Sequence, residues 1–323
     1  MDYIAESLLQ MIGETKLKSY LEKFFVIFIQ LRKLFTFNDK VFSNFKIYFD
    51  DSSIHLICLD SSIQFQNILG LKPRCILLAS GTLTPFENME KQLKYSFDLK
   101  FASVPDLTSW RKRFNVIKMD SLYKFNDNKK ICLNFKTRSD TEIIRGFFNF
   151  LLELIQGVPQ GILIFLPSYA LLEEYKEFIN RDPVLASKIG REKKIFFEKN
   201  FKSFHPQFES YKIACKARGG IFFVVFAGKF SEGVDFKDEL ARLVIILGIP
   251  FSNIHDFKIQ AKKAYLVEQF SKSPKSFNSK DNQLNHLQFQ DWYNYEAMLQ
   301  VNQAVGRVKR NDNDFGLAIL IDS

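Results

Sequence analysis

Glycine and proline are both scarce in this 323-residue chain, with 14 and 9 occurrences, below the usual ~7% and ~5%. Collagenous repeats and flexible low-complexity tracts are thereby excluded, and any local cluster of glycine gains weight. Cysteine occurs four times, as Cys58, Cys75, Cys132 and Cys215, with no pair at CxxC-type spacing. That is too sparse for a disulfide framework and wrongly spaced for a metal or cluster site, so a reduced, intracellular protein with no bound metal is expected. His55, His205, His255 and His286 share no ligand spacing, and neither HExxH nor GxSxG is present. Long apolar runs are missing too. Phe24 to Leu31, the most hydrophobic stretch near the start, is too short to span a bilayer and ends in Arg32 and Lys33. Asp2 and Glu6 stand where a signal peptide would be basic, so the expectation is a soluble chain with no membrane partner.

What is present is an ordinary globular composition, 46% apolar and 25% charged, in a length suited to about two domains. Basic residues outnumber acidic ones, 45 against 36, for a net charge of +9. An anionic partner such as nucleic acid or nucleotide fits that balance. Phenylalanine occurs 36 times and reads as core filling in place of Leu or Val.

Residues 1–46 read as helical, with Leu8, Leu9, Met11, Ile12, Leu21, Phe24, Phe25 and Phe28 at three- and four-residue steps. Strand signals follow in Ile54–Leu59 and in Cys75–Leu78, the second ending at Ser80-Gly81-Thr82. From residue 139 strands and helices alternate. Ser139-Asp-Thr-Glu142 fits a capping box that opens a helix with Ile143, Ile144, Phe147, Phe148, Leu151, Leu152 and Ile155 on one face. Gly161–Leu166 is predicted as a strand, 170–180 as a helix, 188–202 as a basic loop and 206–217 as a short helix. Ile221–Phe226 and Leu243–Leu247 are continuously apolar and predicted as strands buried on both faces. A helix over 291–306 and a strand over Leu317–Ile321 complete the pattern. Such alternation predicts an α/β fold with a doubly wound parallel sheet, whose ligands sit beyond the C-terminal strand ends.

The polar punctuation falls at those ends. Gly228-Lys-Phe-Ser-Glu-Gly-Val-Asp235 carries two glycines, a lysine and carboxylates directly after a buried strand, a composition that lets backbone amides and Lys229 meet an anion. It is not a P-loop: GxxxxGK[ST] would need Gly at 223 and Ser or Thr at 230, and both are Phe. An ordinary strand-to-helix turn is the plain alternative. In Gln303-Ala-Val-Gly306-Arg307-Val-Lys-Arg310, Gln303, Arg307 and Arg310 share one side if the helix continues. Two arginines stacked in this way repel unless an anion lies against them, and their planar forks suit phosphate. The competing reading is that Asp312 and Asp314 neutralise them at the surface. Ser80-Gly81-Thr82 and Ser168-Tyr169 offer hydroxyls and a ring for phosphates or bases.

Five blocks occur in order: Ser80-Gly-Thr-Leu-Thr-Pro85, Phe165-Leu-Pro-Ser-Tyr169, Gly228 to Phe236, Gly248-Ile-Pro-Phe251 and Asn302 to Arg310. With Asp314-Phe-Gly316 and Trp292-Tyr293, they resemble the iron-sulfur superfamily-2 DNA helicases of the XPD type, the FANCJ and RTEL branch in particular. The resemblance implies a RecA-like fold of the P-loop NTPase type, helicase motor domain 2, over 98–323. It further implies the end of motor domain 1 over 47–97 and a remnant of a helical insertion over 1–46. It assigns Ser80, Gly81 and Thr82 to motif III and Ser168 and Tyr169 to a strand-contacting loop. Lys229, Ser231, Glu232, Gly233 and Asp235 fall at the junction of DNA track and ATP cleft. Gln303, Gly306, Arg307 and Arg310 form motif VI, whose arginines reach the γ-phosphate.

A Walker A loop, a DEAH-like Walker B and four cluster cysteines of that family have no counterpart in this chain. Asp322 closes an apolar strand without making a convincing Walker B. The expectation is therefore the C-terminal motor portion of a nuclear, ATP-dependent 5′→3′ DNA helicase acting on single-stranded and forked DNA in genome maintenance. ATP and Mg²⁺ would be shared with a motor domain 1 supplied in cis or in trans, and the family's iron-sulfur cluster is not expected here. The alternative is a non-catalytic nucleic-acid-binding or assembly module.

Overall fold

The computed structural model describes residues 44–49, 54–102, 113–123, 130–198, 204–226, 228, 234, 236, 238–272, 288–308 and 314–323. In chain order its elements are β1 (Phe45–Phe49), β2 (Ile54–Cys58), α1 (Ser62–Gly70), α2 (Phe86–Leu93), β3 (Phe114–Met119), β4 (Ser121–Tyr123), β5 (Lys130–Cys132), α3 (Thr141–Leu154), β6 (Gly161–Leu166), α4 (Tyr169–Arg181), α5 (Pro183–Glu192), β7 (Lys194–Phe197), α6 (Phe204–Lys216), β8 (Gly220–Val225), β9 (Leu243–Leu247), α7 (Phe257–Lys272), α8 (Phe289–Val305) and β10 (Gly316–Ile321). One unit gathers the described residues up to Ala79 with Leu83–Leu99 and His255–Phe289. The other holds Ser80–Thr82, Lys100–Ile254 and Gln290–Ser323. A domain running unbroken over 98–323 is thus interrupted: the α7 segment packs with the first unit.

The larger unit is built on a six-stranded sheet in the order β3-β10-β9-β6-β8-β7, every neighbouring pair parallel. From β6 the chain steps outward to β7, returns to β8, then crosses to β9 and β10, which makes the sheet doubly wound. Side chains alternate strictly between two cores, as the pleat requires. Ile162, Ile164, Leu166, Ile221, Phe223, Val225, Leu243, Ile245 and Leu247 meet α3, α4 and α5 on one face. Leu163, Phe165, Phe222, Val224, Val244 and Ile246 meet α6 and α8 on the other. This is the doubly wound parallel α/β architecture that the alternation predicts, and it is consistent with the RecA-like fold that the resemblance implies. Part of the abundant phenylalanine is here: Phe147, Phe148, Phe165, Phe222, Phe223 and Phe236 are fully buried.

Several local expectations are corrected. The α3 cap is Asp140, not Ser139: its carboxylate accepts the Glu142 N–H at 2.9 Å from an extended backbone, one residue later than the capping-box register. The basic loop of 188–202 contains the end of α5 and the edge strand β7. Asp182 caps α5 and Pro183 opens it, a start signal present in the sequence. Within that stretch Lys193 is buried, its ammonium donating to the Gln160 carbonyl at 2.8 Å, so it adds nothing to a basic surface. Cys75–Leu78 forms no strand: residues 75–80 are irregular and Leu77 is 86% exposed, because no described strand lies beside it to take its hydrogen bonds. The helix expected over 1–46 lies outside the described residues up to 43, and Phe45 and Lys46 begin β1.

In the smaller unit the antiparallel hairpin β1–β2 leads into Asp60, a buried carboxylate on which distant segments converge. It accepts hydrogen bonds from the Ser62 N–H and hydroxyl, the Tyr265 hydroxyl at 2.9 Å and the Lys94 ammonium at 2.6 Å. Lys262 donates to the neighbouring Leu59 carbonyl. These contacts fasten α7 to a segment some two hundred residues earlier.

Two predictions concern buried polar groups. The Tyr175 hydroxyl lies within the core and has no hydrogen-bond partner. Tyr175→Phe removes an unpaired polar atom and is expected to raise stability by about 1 kcal/mol in urea denaturation. Asp60 behaves oppositely. Burial pushes its carboxyl up, but the bonds from Lys94, Ser62 and Tyr265 outweigh that and hold it below its ordinary value. Its contribution is therefore present above the unfolded value of ~3.9 and lost as pH falls through the folded one. Asp60→Asn is expected to cost about 1–3 kcal/mol at neutral pH, with a gap to wild type that closes on acidification.

Candidate functional site

Because the six strands are parallel, their C-terminal ends share one edge, where such sheets bind ligands. Pro167-Ser168-Tyr169 leaves β6 there, Glu198 follows β7, Gly228 follows β8, and Gly248 to Phe251 follows β9. Ser168 is the N-cap of α4: its Oγ accepts the Leu171 N–H at 3.3 Å. Next to it, Tyr169 donates its hydroxyl to Glu198 Oε1 at 2.9 Å.

Glu198 organises this corner. Only 3% exposed, it accepts the Val225 N–H on Oε2 at 2.8 Å, while its own N–H donates to the Phe223 carbonyl at 2.9 Å. It thereby joins the exits of β7 and β8 to the first residue of α4. Burial of the hydroxyl end, followed by the hydrogen bond and charge of Glu198, pushes the Tyr169 phenol up to about 12. The residue as a whole stays 47% exposed, so a ring face remains available at the edge. Gly228 completes the corner. A Cβ there would lie 2.7 Å from Glu198 Oε1 and 2.8 Å from the Val225 carbonyl, so only glycine fits without a shift.

Lys229, Ser231, Glu232, Gly233 and Asp235 lie outside the described residues, as does Arg310. Their neighbours Val234 and Phe236 are buried and anchor the crossover from β8 to β9. The shared side expected for Gln303, Arg307 and Arg310 required α8 to continue, and it stops at Val305. Gly306 follows, its N–H donating to the Asn302 carbonyl at 2.9 Å. Gln303 is exposed, whereas Arg307 is buried, its guanidinium donating to the Val234 carbonyl with the Phe236 ring 6.0 Å away. Asp314, offered as a surface neutraliser of those arginines, is itself buried and paired with Arg242 at the opposite, strand-start edge. Ser80 and Thr82 form a short exposed turn, their hydroxyls 3.2 Å apart and the Thr82 N–H donating to Ser80 Oγ at 3.3 Å.

Sequence reasoning overlooked Glu198, which falls in the stretch expected as a basic loop, because nothing local links it to a tyrosine 29 positions earlier. Among the described residues no group of three or more His, Cys, Asp or Glu is placed to hold a metal ion. No described helix is long and apolar enough to cross a membrane.

The profile of the helicase C-terminal domain matches residues 151–323, more than half of the chain and most of this sheet. The chain belongs to that family. With the relatives and fold that follow, it is placed among XPD-type superfamily-2 helicases as their C-terminal portion. It is 30% identical to the regulator of telomere elongation helicase 1 homolog of Caenorhabditis elegans, over 84% of this chain and 27% of that protein. It is 31% identical to the ATP-dependent DNA helicase CHL1 of Candida albicans, over 84% of this chain and 31% of that one. The chain thus spans between a quarter and a third of the length of these relatives. A solved structure described as "XPD_APO" superposes with a TM-score of 0.57 at 19% identity, over 99% of this chain and 57% of that one, which supports the fold.

Gly228→Ala forces its Cβ against a buried carboxylate and a backbone carbonyl in this family's sheet edge. A loss of about 1–3 kcal/mol is expected, read from the thermal or urea midpoint, together with a Tyr169 phenol that titrates nearer its ordinary value.

Proposed function

We propose that this chain is the C-terminal motor portion of a nuclear, ATP-dependent DNA helicase that translocates 5′→3′ on single-stranded DNA in genome maintenance. The observation that carries the reading is the helicase C-terminal domain match over a RecA-like sheet in which the blocks at Pro167–Tyr169, Gly228 and Gly248–Phe251 leave one common edge. Single-stranded DNA would run along that edge. Tyr169 would offer its ring, Lys229 and Ser231, which follow Gly228 in sequence, would contact phosphates, and Ser80 to Thr82 would couple nucleotide state to grip. Ser168 would act by fixing the start of α4, since its hydroxyl oxygen caps that helix.

Arg310 is the residue we assign to the transferred phosphate, with Gln303 assigned to assist it. ATP with Mg²⁺ supplies the phosphoryl group and the charge that the arginine neutralises. Following the family resemblance, the metal's ligands are assigned to motor domain 1. Arg307 supports the same region from beneath, holding the β8–β9 crossover through the Val234 carbonyl. That buried bond also favours a second reading, a nucleic-acid-binding or assembly module without catalysis, in which Arg307 is purely architectural.

Two measurements separate these. Single-stranded DNA binding is expected to weaken steeply with salt, with a log–log slope of about −0.7 per phosphate neutralised. Absence of binding at low salt rejects both readings. In the enzyme with both motor domains, Arg310→Ala is expected to lower DNA-stimulated ATP turnover by about a thousandfold. Unchanged turnover rejects the catalytic reading and leaves the binding module.

A further inference from the structure

At the exit of β9 the chain presents an aromatic pair that the nucleotide and strand assignments above do not use. Phe251 is 45% exposed, and its ring lies on that of Tyr293, with centroids 5.2 Å apart and planes within 19°. Tyr293 sits near the start of α8 and donates its hydroxyl to the Ser252 carbonyl, which fixes its ring against the loop. The loop itself is held. Gly248 turns at φ +83°, a conformation that favours glycine, and donates its N–H to the Ile321 carbonyl at 2.9 Å. Ile249 hydrogen-bonds the Asp322 carboxylate through its backbone, and the Phe251 N–H donates to the Ile249 carbonyl at 2.8 Å. Phe251 is therefore exposed on a built support.

Its position matters as much as its rigidity. β9 and β6 are neighbours in parallel register, Phe165 opposite Ile246, so their exits lie side by side. The Cβ position of Gly248 is 3.5 Å from the Pro167 ring. The Phe251 loop thus adjoins the loop that carries Ser168 and Tyr169. A lone exposed apolar residue is ordinary on protein surfaces. A ring stacked in parallel on a second ring, with an outer face open at the ligand-binding edge of a chain of net charge +9, has a more specific use.

We infer that Phe251, seated on Tyr293, is a stacking platform for one unpaired nucleobase of a single strand. The inference rests on the single-strand reading above and adds recognition of a base face to recognition of phosphate. Every base has a π-face, so the platform is sequence-tolerant, as a translocating motor requires. Parallel stacking also favours an unpaired base over a duplex, whose bases are already stacked on one another.

The test compares binding of two probes, an oligothymidine and an abasic oligonucleotide of equal length, to the 323-residue chain at one salt concentration. The two carry the same phosphates and differ in bases. Wild type is expected to prefer oligothymidine. Phe251→Ala is expected to weaken oligothymidine binding about tenfold and to leave abasic binding unchanged, while Phe251→Tyr keeps the preference. Phe251→Leu, which retains apolar bulk and loses the π-face, repeats the loss if the alanine variant does not fold. Equal binding of both probes by wild type overturns the platform and leaves the phosphate track standing. An equal loss for both probes in the leucine variant overturns it too. Failure of wild type to bind either probe overturns the single-strand reading, and the platform with it.

Discussion

Parallel pairing is the constraint from which the larger unit follows. Consecutive parallel strands require a crossover on a face of the sheet, so both faces become covered and both sets of alternating side chains must be apolar. β6, β8 and β9 satisfy this with buried residues throughout. The same constraint sends every strand exit to one edge and every strand start to the other. Blocks separated by dozens of residues along the chain therefore crowd together, and the crossover reversal at β6 places the exits of β8 and β9 on either side of Pro167 to Tyr169.

In both units a buried carboxylate fastens segments that the chain order keeps apart. Asp60 collects donors from Ser62, Lys94 and Tyr265. Glu198 collects the Val225 N–H and the Tyr169 hydroxyl, and presses so closely on Gly228 that a methyl group has no room. A buried carboxylate is tolerable only when its acceptor capacity is met, so each such residue dictates the placement of its partners. For the candidate edge this means that Tyr169 is held by its hydroxyl. The glycine after β8 has an architectural role before any contact with phosphate.

Local signals were sufficient where the physics is local. The continuous apolar runs of β6 and β9 mark fully buried strands to the residue, and the apolar face of α3 follows from its three- and four-residue spacing. The same reasoning was misled at Cys75–Leu78, where an apolar run without a neighbouring strand stays irregular, and at Lys193, where a charge in a basic run turns inward. It also gave Arg307 a shared side with Gln303 and Arg310 only if α8 continued, and the helix ends at Val305. In the structure the arginine turns under the β8–β9 crossover. Hydrophobic periodicity reports which face a residue occupies, but not where a strand finds its partner or which carbonyl a long side chain reaches.

Apolar spacing, turn residues and the ordered family blocks were enough to specify an α/β chain with a doubly wound parallel sheet and helicase-like motifs, those after β6, β8 and β9 at strand exits. That information is carried by neighbours in sequence, through the periods of the strand and the helix. The Glu198–Tyr169 bond, the interruption of the larger unit by α7 and the Phe251–Tyr293 stack were settled only by tertiary packing. Each joins residues tens to hundreds of positions apart. Pairing of that kind depends on which surfaces meet once the sheet has formed, a quantity that no window along the chain contains.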